Sequence, residues 1–331
     1  MLKMTLNRLG ALVLVLLFLS AVLFLLRQAS PGDPAKQILG ANASPAALTA
    51  ERHKLWLDRP LVAQYVHYVS GVLRGDLGIS TRTQRSVSSD LARYLPPSIE
   101  LAVLAIVVAV LLGLLLGTLS GIRARGAWIV DNTLIGFASV PSFLLGLLAI
   151  IVFYAHLYWL PAGGQTDIFD APTGPTHVAL LDAIVHGRFD VIPDALKHLV
   201  LPVLVLAIGP AVAIGRVFRS SLTSSMSSDY VRTARSKGLS ESRIVRRHAV
   251  RPSSGPALAM VGLQMGGMFA SLAVVEVIFA WPGVGSYVAQ SIPTGDFPGV
   301  AGVTLIAGAA YVVVNTIVDL LQALADPRVR G

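Results

Sequence analysis

The sequence predicts an all-α membrane protein with six transmembrane helices and a small external segment between helices 1 and 2. Three observations carry that expectation. Apolar residues make up 54% of the 331-residue chain and charged residues only 13%, against about 25% charged in soluble domains. The apolar excess is gathered into runs of about 20 residues, the length that crosses a hydrocarbon core as a helix. Lys and Arg collect in alternate connections between those runs, the bias that marks the cytoplasmic face.

The first run, Leu9–Leu26, follows Lys3 and Arg8. A secretory signal also begins this way, but its apolar core is roughly 7–15 residues and ends at an A-x-A site. This run is longer and no such site follows, so residues 1–26 are expected to remain as an N-terminal span. Residues 27–96 form an extracytoplasmic segment. Its Asp33, Pro34, Pro60 and Gly71–Gly78 predict a turn-rich layer. The other runs, Ile99–Gly121, Ile129–Leu148 (extending to Tyr154), Leu199–Val217, Ala257–Ala280 and Val300–Leu321, place five spans in residues 97–322. A basic loop covers 218–256, and 323–331 form a tail.

The cations fix the expected orientation. Lys3 and Arg8, Arg123 and Arg125, the series from Arg216 to Arg251, and Arg328 and Arg330 all fall on one face of a six-span chain. That face, with both termini, is expected in the cytoplasm. Asp167, Asp170, Asp182, Asp190 and Asp194, between spans three and four, suit the opposite side. The net charge of +8 is thereby read as topology and contact with membrane lipid, not as a nucleic-acid surface. The chain has no cysteine, which excludes disulfides and thiolate chemistry.

The basic loop contains the most structured hydrophilic pattern, from Asp229 to Pro252. Tyr230, Val231 and Ala234 recur at helical spacing, and Gly238 after Lys237 suits a left-handed C-cap. Ser240 with Glu241 predicts the start of a second short helix, which Ile244, Val245, His248 and Ala249 continue to Pro252. Two uses fit such a hairpin: lying on anionic lipid, or docking a cytoplasmic partner.

The segment Asp229-Tyr-Val-Arg-Thr-Ala-Arg-Ser-Lys-Gly-Leu239 resembles the ATPase-coupling motif of binding-protein-dependent ABC importer permeases. Ala234, Gly238 and Ile244 match its core, while Arg232-Thr233-Ala234 stands where the general pattern has Glu-Ala-Ala. The form found here is similar to that of the peptide-importer branch. Further resemblances run along the chain: Ser30-Pro-Gly-Asp-Pro34, Leu57-Asp-Arg-Pro-Leu61, Arg74-Gly-Asp-Leu-Gly78, Leu95-Pro-Pro-Ser-Ile-Glu100 opening span two, Val140-Pro-Ser-Phe143 interrupting span three, Leu160-Pro-Ala-Gly-Gly164, Glu276-Val-Ile-Phe-Ala-Trp-Pro-Gly283, and Asp326-Pro-Arg-Val-Arg330. The chain is identified as resembling the first of the two paired permeases of dipeptide and oligopeptide importers; nickel and glutathione importers use close relatives. The resemblance implies a type I ABC importer permease fold and no catalytic residues. It implies a coupling loop formed by Asp229, Tyr230, Arg232, Ala234, Lys237, Gly238, Leu239 and Ile244. Its implied partners are a second homologous permease, two ATPase subunits or one fused dimer, and an extracytoplasmic peptide-binding protein. ATP would be bound by those partners, and no cofactor or metal by this chain.

Pro141 and Ser142 interrupt a span, as broken helices do along transport pathways, and as simple structural kinks also do. Glu100, Asp131, Glu276 and Asp319 are the ionisable residues in or beside spans, at predicted ends where water or headgroups reach. Glu276, one turn before Trp281-Pro282-Gly283, is the candidate to meet a peptide amine or to brace an outer gate. Trp159, Trp281 and Tyr287 fit an interfacial aromatic belt, and Gly262, Gly266 and Gly267 fit close helix approach. No phosphate loop, G-x-S-x-G elbow or H-E-x-x-H pair occurs. A secondary transporter or channel needs an ion relay that the scarce mid-span charges do not supply, and an enzyme lacks its nucleophile or metal set.

Overall fold

The computed structural model describes residues 2–29, 33–40, 42–122, 129, 132, 135–136 and 138–325. Among these the chain is helical, with a single isolated antiparallel bridge, Ile79 to Ser86. In order, the helices are α1 (Leu2–Ala29), α2 (Pro34–Leu39), α3 (Pro45–Lys54), α4 (Leu61–Leu73), α5 (Val87–Gly121) and α6 (Ser142–Ala149, continued by the wider π-turns Ile150–His156). Then follow α7 (Ala179–Val185), α8 (Ile192–Met226), α9 (Asp229–Ser236) and α10 (Glu241–Ile244), which runs through the π-turns Val245–Ala249 into α11 (Val250–Ile278). α12 (Val284–Ser291) and α13 (Phe297–Ala325) complete the described chain.

Among the described residues, five helices are long and apolar enough to cross a membrane: Gly10–Gln28 in α1, Val87–Gly121, Ile192–Met226, Glu241–Ile278, and Phe297–Val318 in α13. They contain the first, second, fourth, fifth and sixth expected spans. The third is described at 129, 132, 135–136 and from 138 onward. Its described end is α6, which starts afresh at Pro141 (φ −54°, ψ 139°), a true interruption of the helix.

Three local expectations are corrected. Pro96 and Pro97 do not open a helix but lie inside α5, which begins at Val87. An interior proline costs about 3 kcal/mol; packing of Val87, Leu91, Leu101 and Ala105, all buried, holds the helix together across the pair. Pro252 does not end the second helix of the hairpin, because the π-turns before it shift the hydrogen-bond register, and the helix runs on to Ile278, 38 residues in all from Glu241. The segment 27–96, expected to be turn-rich, carries α2, α3 and α4. Asp33 and Ser44 accept from the backbone N–H of Ala35 (3.1 Å) and Ala47 (3.2 Å), and Pro34 and Pro45 occupy first-turn positions, where a proline lacks nothing.

The chain forms two compact units. One comprises residues 96–286 with 313–325, and its core is α8 packed against α5, α6 and α11. Gly113, Gly117 and Gly121 line the face of α5 toward α8. A Cβ on Gly117 would stand 2.7 Å from the carbonyl oxygen of Gly215, and one on Gly113 would stand 2.9 Å from that of Ala211. Small residues every fourth position thus let two membrane helices meet backbone to backbone. Gly262 instead makes room for the Val318 side chain, which any Cβ there would overlap, whereas a Cβ on Gly267 would meet nothing.

The other unit comprises residues 2–95 with 287–312. Leu23, Ala301 and Leu305 form its apolar centre, with Tyr68, Val72 and Phe297 around them. Two buried carboxylates organise its polar part. Asp296 accepts from Ser80 Oγ (2.5 Å) and Thr81 N (2.9 Å), and Asp90 from Tyr287 Oη (3.1 Å) with Arg85 at 3.3 Å.

Candidate functional site

The hairpin between α8 and α11 is a folded object with its own small core. Val231 and Ala234 on α9 and Ile244 on α10 are buried against one another, with Met226 and Leu239 packed beside them. α9 ends as the residue types require. Gly238 takes φ +75°, its N–H reaches the Arg235 carbonyl (2.9 Å), and the Leu239 N–H reaches the Ala234 carbonyl (3.3 Å). This pair of bonds, with Leu239 folded onto the last turn, is a Schellman cap. Ser240 precedes α10 in extended conformation (φ −64°, ψ 145°), so the chain turns sharply between the two helices. Arg235 then grips Glu241 across the corner through Nε (2.6 Å) and Nη2 (3.1 Å), a two-pronged contact that fixes the angle.

The outer face is polar and basic. Asp229, Tyr230, Arg232, Arg235, Lys237 and Gly238 are exposed, and residues 229–247 hold six Lys or Arg against two carboxylates. The eight residues singled out in this loop therefore divide in two. Ala234, Leu239 and Ile244 build the inside, while Asp229, Tyr230, Arg232 and Lys237 decorate the outside around the Gly238 corner. Because α8 leads in and the α10–α11 helix leads out, the hairpin joins two membrane-length helices through one short, stiff connection.

A second cluster gathers residues from several of the recognised segments. The Glu276 side chain is fully buried and receives three donors: Ser98 Oγ (2.5 Å), Gly285 N (2.7 Å) and Ser286 N (3.2 Å). Ser98 Oγ in turn accepts from Val284 N (2.8 Å). Glu276 thus caps the N-terminus of α12, satisfying groups the helix leaves open. Trp281 is buried and donates Nε1–H to the Pro97 carbonyl (3.0 Å). Gly164 N donates to the Phe279 carbonyl (2.8 Å), and Gly163 lies so close that any Cβ would overlap that oxygen. Pro141 and Ser142 start α6, one turn before Gly146, which packs on Ile278 and Phe279.

These burials correct the belt assignment. Trp281 and Tyr287 are interior, and Trp159, 65% exposed, is the one of the three at the surface. Sequence reasoning named Glu276 but not its partner Ser98, and passed over Asp90 and Asp296; a Ser-Thr-Arg-Thr run at 80–83 was the available signal for a buried acceptor nearby. Arg123, Arg125, Asp131, the Ser30–Gly32 stretch and the Asp326–Arg330 end lie outside the described residues, as does the side chain of Asp319.

Together these features define a polytopic helical membrane protein whose helices are linked on one side by a structured basic hairpin. Residues 87–331 match the model of the binding-protein-dependent transport system inner membrane component, and residues 1–102 match that of the N-terminal portion of such membrane components. The chain belongs to this family of transport-system inner membrane components. It is 40% identical to the "Probable D,D-dipeptide transport system permease protein" of Escherichia coli (strain K12), over 98% of this chain and 96% of that one. It is 34% identical to the dipeptide transport system permease protein of Alkalihalophilus pseudofirmus, over the whole of both chains. It is likewise 34% identical to a di/tripeptide transport system permease protein of Pseudomonas aeruginosa, over 100% and 99% of the two.

Proposed function

We propose that this chain is the permease subunit of an ATP-driven importer of di- or oligopeptides, with no chemistry of its own. It pairs with a second homologous permease to enclose a polar path, and an extracytoplasmic binding protein delivers cargo. Two ATPase subunits, or one fused dimer, dock on the hairpin at 229–249. Its excess of cations sets that face in the cytoplasm, with both termini, and leaves residues 27–96 outside. The observation that carries the reading is mechanical: the hairpin has its own core, a Schellman cap and an Arg235–Glu241 brace. A push on it is therefore handed to α8 and α11 rather than absorbed. The Glu276 cluster braces the opposite end of α11 against α5 and α12, and Pro141 and Ser142 mark the broken helix beside it. The names of the relatives support peptides over nickel, glutathione or other small solutes as cargo.

Cysteine chemistry tests the docking step cleanly, since the chain has none of its own. Lys237→Cys, exposed and outside the hairpin core, should crosslink to an ATPase subunit in the assembled transporter, and the bond should block uptake. Failure of Tyr230→Cys and Lys237→Cys alike to capture an ATPase in a transporting complex would remove the hairpin from the coupling path.

A further inference from the structure

The unit formed by residues 2–95 and 287–312 contains a cavity of about 320 Å³. Phe24, Leu77 and Phe297 are among its apolar walls, and Arg27, Glu51, Lys54, His67, Tyr68 and Asp76 bring its polar groups. Most of these are already engaged. Lys54 Nζ donates to Glu51 at 3.2 Å, Asp76 Oδ1 accepts from Gly78 N at 2.9 Å, and His67 stacks on Trp56 at 4.4 Å. Two are not. The Tyr68 hydroxyl is buried with no hydrogen-bond partner. Arg27, half-buried, has no carboxylate at ion-pair distance among the described residues. A cation and a buried hydroxyl left open in one cavity call for a ligand that only accepts hydrogen bonds and carries negative charge.

The position of the cavity narrows the ligand further. Arg27 stands at the end of the apolar run Gly10–Gln28, where a helix leaves the hydrocarbon for the headgroup layer. Trp56, between α3 and α4, stacks on His67 of the cavity wall and is 40% exposed, with the Arg59 guanidinium 5.8 Å over its ring, as suits an interfacial aromatic. α4 exposes Leu61, Val62, Val66 and Leu73, an apolar face matched to a membrane surface. We propose that this cavity is a phospholipid-headgroup site. The phosphate diester of an anionic phospholipid accepts from Arg27 and from the Tyr68 hydroxyl, and its glycerol and first acyl carbons lie along Phe24, Leu77 and Phe297. The occupant would fill a place where, among the described residues, apolar wall, free cation and orphaned hydroxyl meet, and would tie α1 to α4.

Native mass spectrometry of the full-length chain in mixed micelles of phosphatidylglycerol and phosphatidylethanolamine tests this. The wild type should retain phosphatidylglycerol in preference, and Arg27→Ala should lower that retention about tenfold, as loss of a charge-assisted contact does. Arg27→Lys should restore part of it. Tyr68→Phe removes only the unpaired hydroxyl and should lower retention about threefold with the fold intact, so it carries the test alone if Arg27→Ala fails to fold. Glycerol phosphate and the dipeptide dialanine are added as competitors. Displacement by glycerol phosphate would mean a soluble phosphate site, and displacement by dialanine a peptide site; either overturns the lipid assignment. So would equal retention of the two lipids, or retention unmoved by Tyr68→Phe.

Discussion

Gly238 shows how much one residue can carry. A Cβ there would meet no atom within 4 Å, so the cost of replacing it is purely conformational. At φ +75° an L-residue pays about 1–2 kcal/mol, and a β-branched one more. Gly238→Val should therefore spoil the Schellman cap while leaving the transmembrane helices intact: ATP hydrolysis by the assembled transporter should persist while uptake falls at least about fivefold. Gly238→Asn, which tolerates the left-handed region, should stay near wild type, and a Val variant with full uptake would refute the corner. Glu276 makes the opposite case, where space and charge both matter. Glu276→Ala removes the acceptor that Ser98, Gly285 and Ser286 share and should cost about 1–3 kcal/mol, read as a lowered melting temperature in detergent. Sequence singled out Glu276 because a carboxylate in an apolar run is conspicuous. Its partners were not legible, because they come from positions 98, 285 and 286, which no periodicity connects.

Among elements, the spans were legible and their ends were not. Hydropathy located α1, α5, α8, α11 and α13, since the bilayer dictates their length and composition. It misplaced the starts of α5 and α10–α11 because Pro96, Pro97 and Pro252 are local stop signals that tertiary packing and a π-turn override. The glycines were legible in part: Gly262 does lie tight against Val318 and Gly267 meets nothing, whereas the stripe Gly113, Gly117 and Gly121, which brings α5 onto α8 backbone to backbone, was passed over. That predicts a contrast. Gly117→Val should push α5 off α8 and destabilise by about 1–3 kcal/mol. Gly255→Ala in α11, which meets nothing, should be neutral or stabilising by up to about 1 kcal/mol; thermal melts of the two variants decide. The connection between α6 and α8 should respond to acid. Arg188 donates to both Asp170 (3.2 Å) and Asp190 (2.9 Å), and its guanidinium holds both carboxyls below the usual carboxylate range. A depressed carboxylate stabilises the folded state above its unfolded pKa, about 3.9, and loses that effect as pH falls through the lower folded value. Limited proteolysis between 166 and 191 should be slow at neutral pH and accelerate only below about pH 4.

At the scale of the whole molecule the question is what drives transport. A carrier powered by an ion gradient needs titratable groups inside the membrane that load and unload, and these are costly enough to be rare unless used. Here the fully buried carboxylate of α11 is committed to structure: both oxygens of Glu276 accept hydrogen bonds, from Ser98 and from the start of α12. The conspicuous investment lies instead in a braced hairpin between α8 and α11, and a ligand or motor shifts a two-state equilibrium only through an element it grips differently in each state. On the proposed assembly, proteoliposomes containing this chain with a second permease and the ATPases should accordingly accumulate labelled dipeptide when ATP and a loaded binding protein are both present. Collapsing the proton gradient while ATP is held constant should leave the rate within about twofold, a difference under 0.5 kcal/mol in barrier height. Uptake that instead vanished with the gradient, or that survived removal of the ATPases, would assign the work to an ion relay and make the hairpin a passive connection.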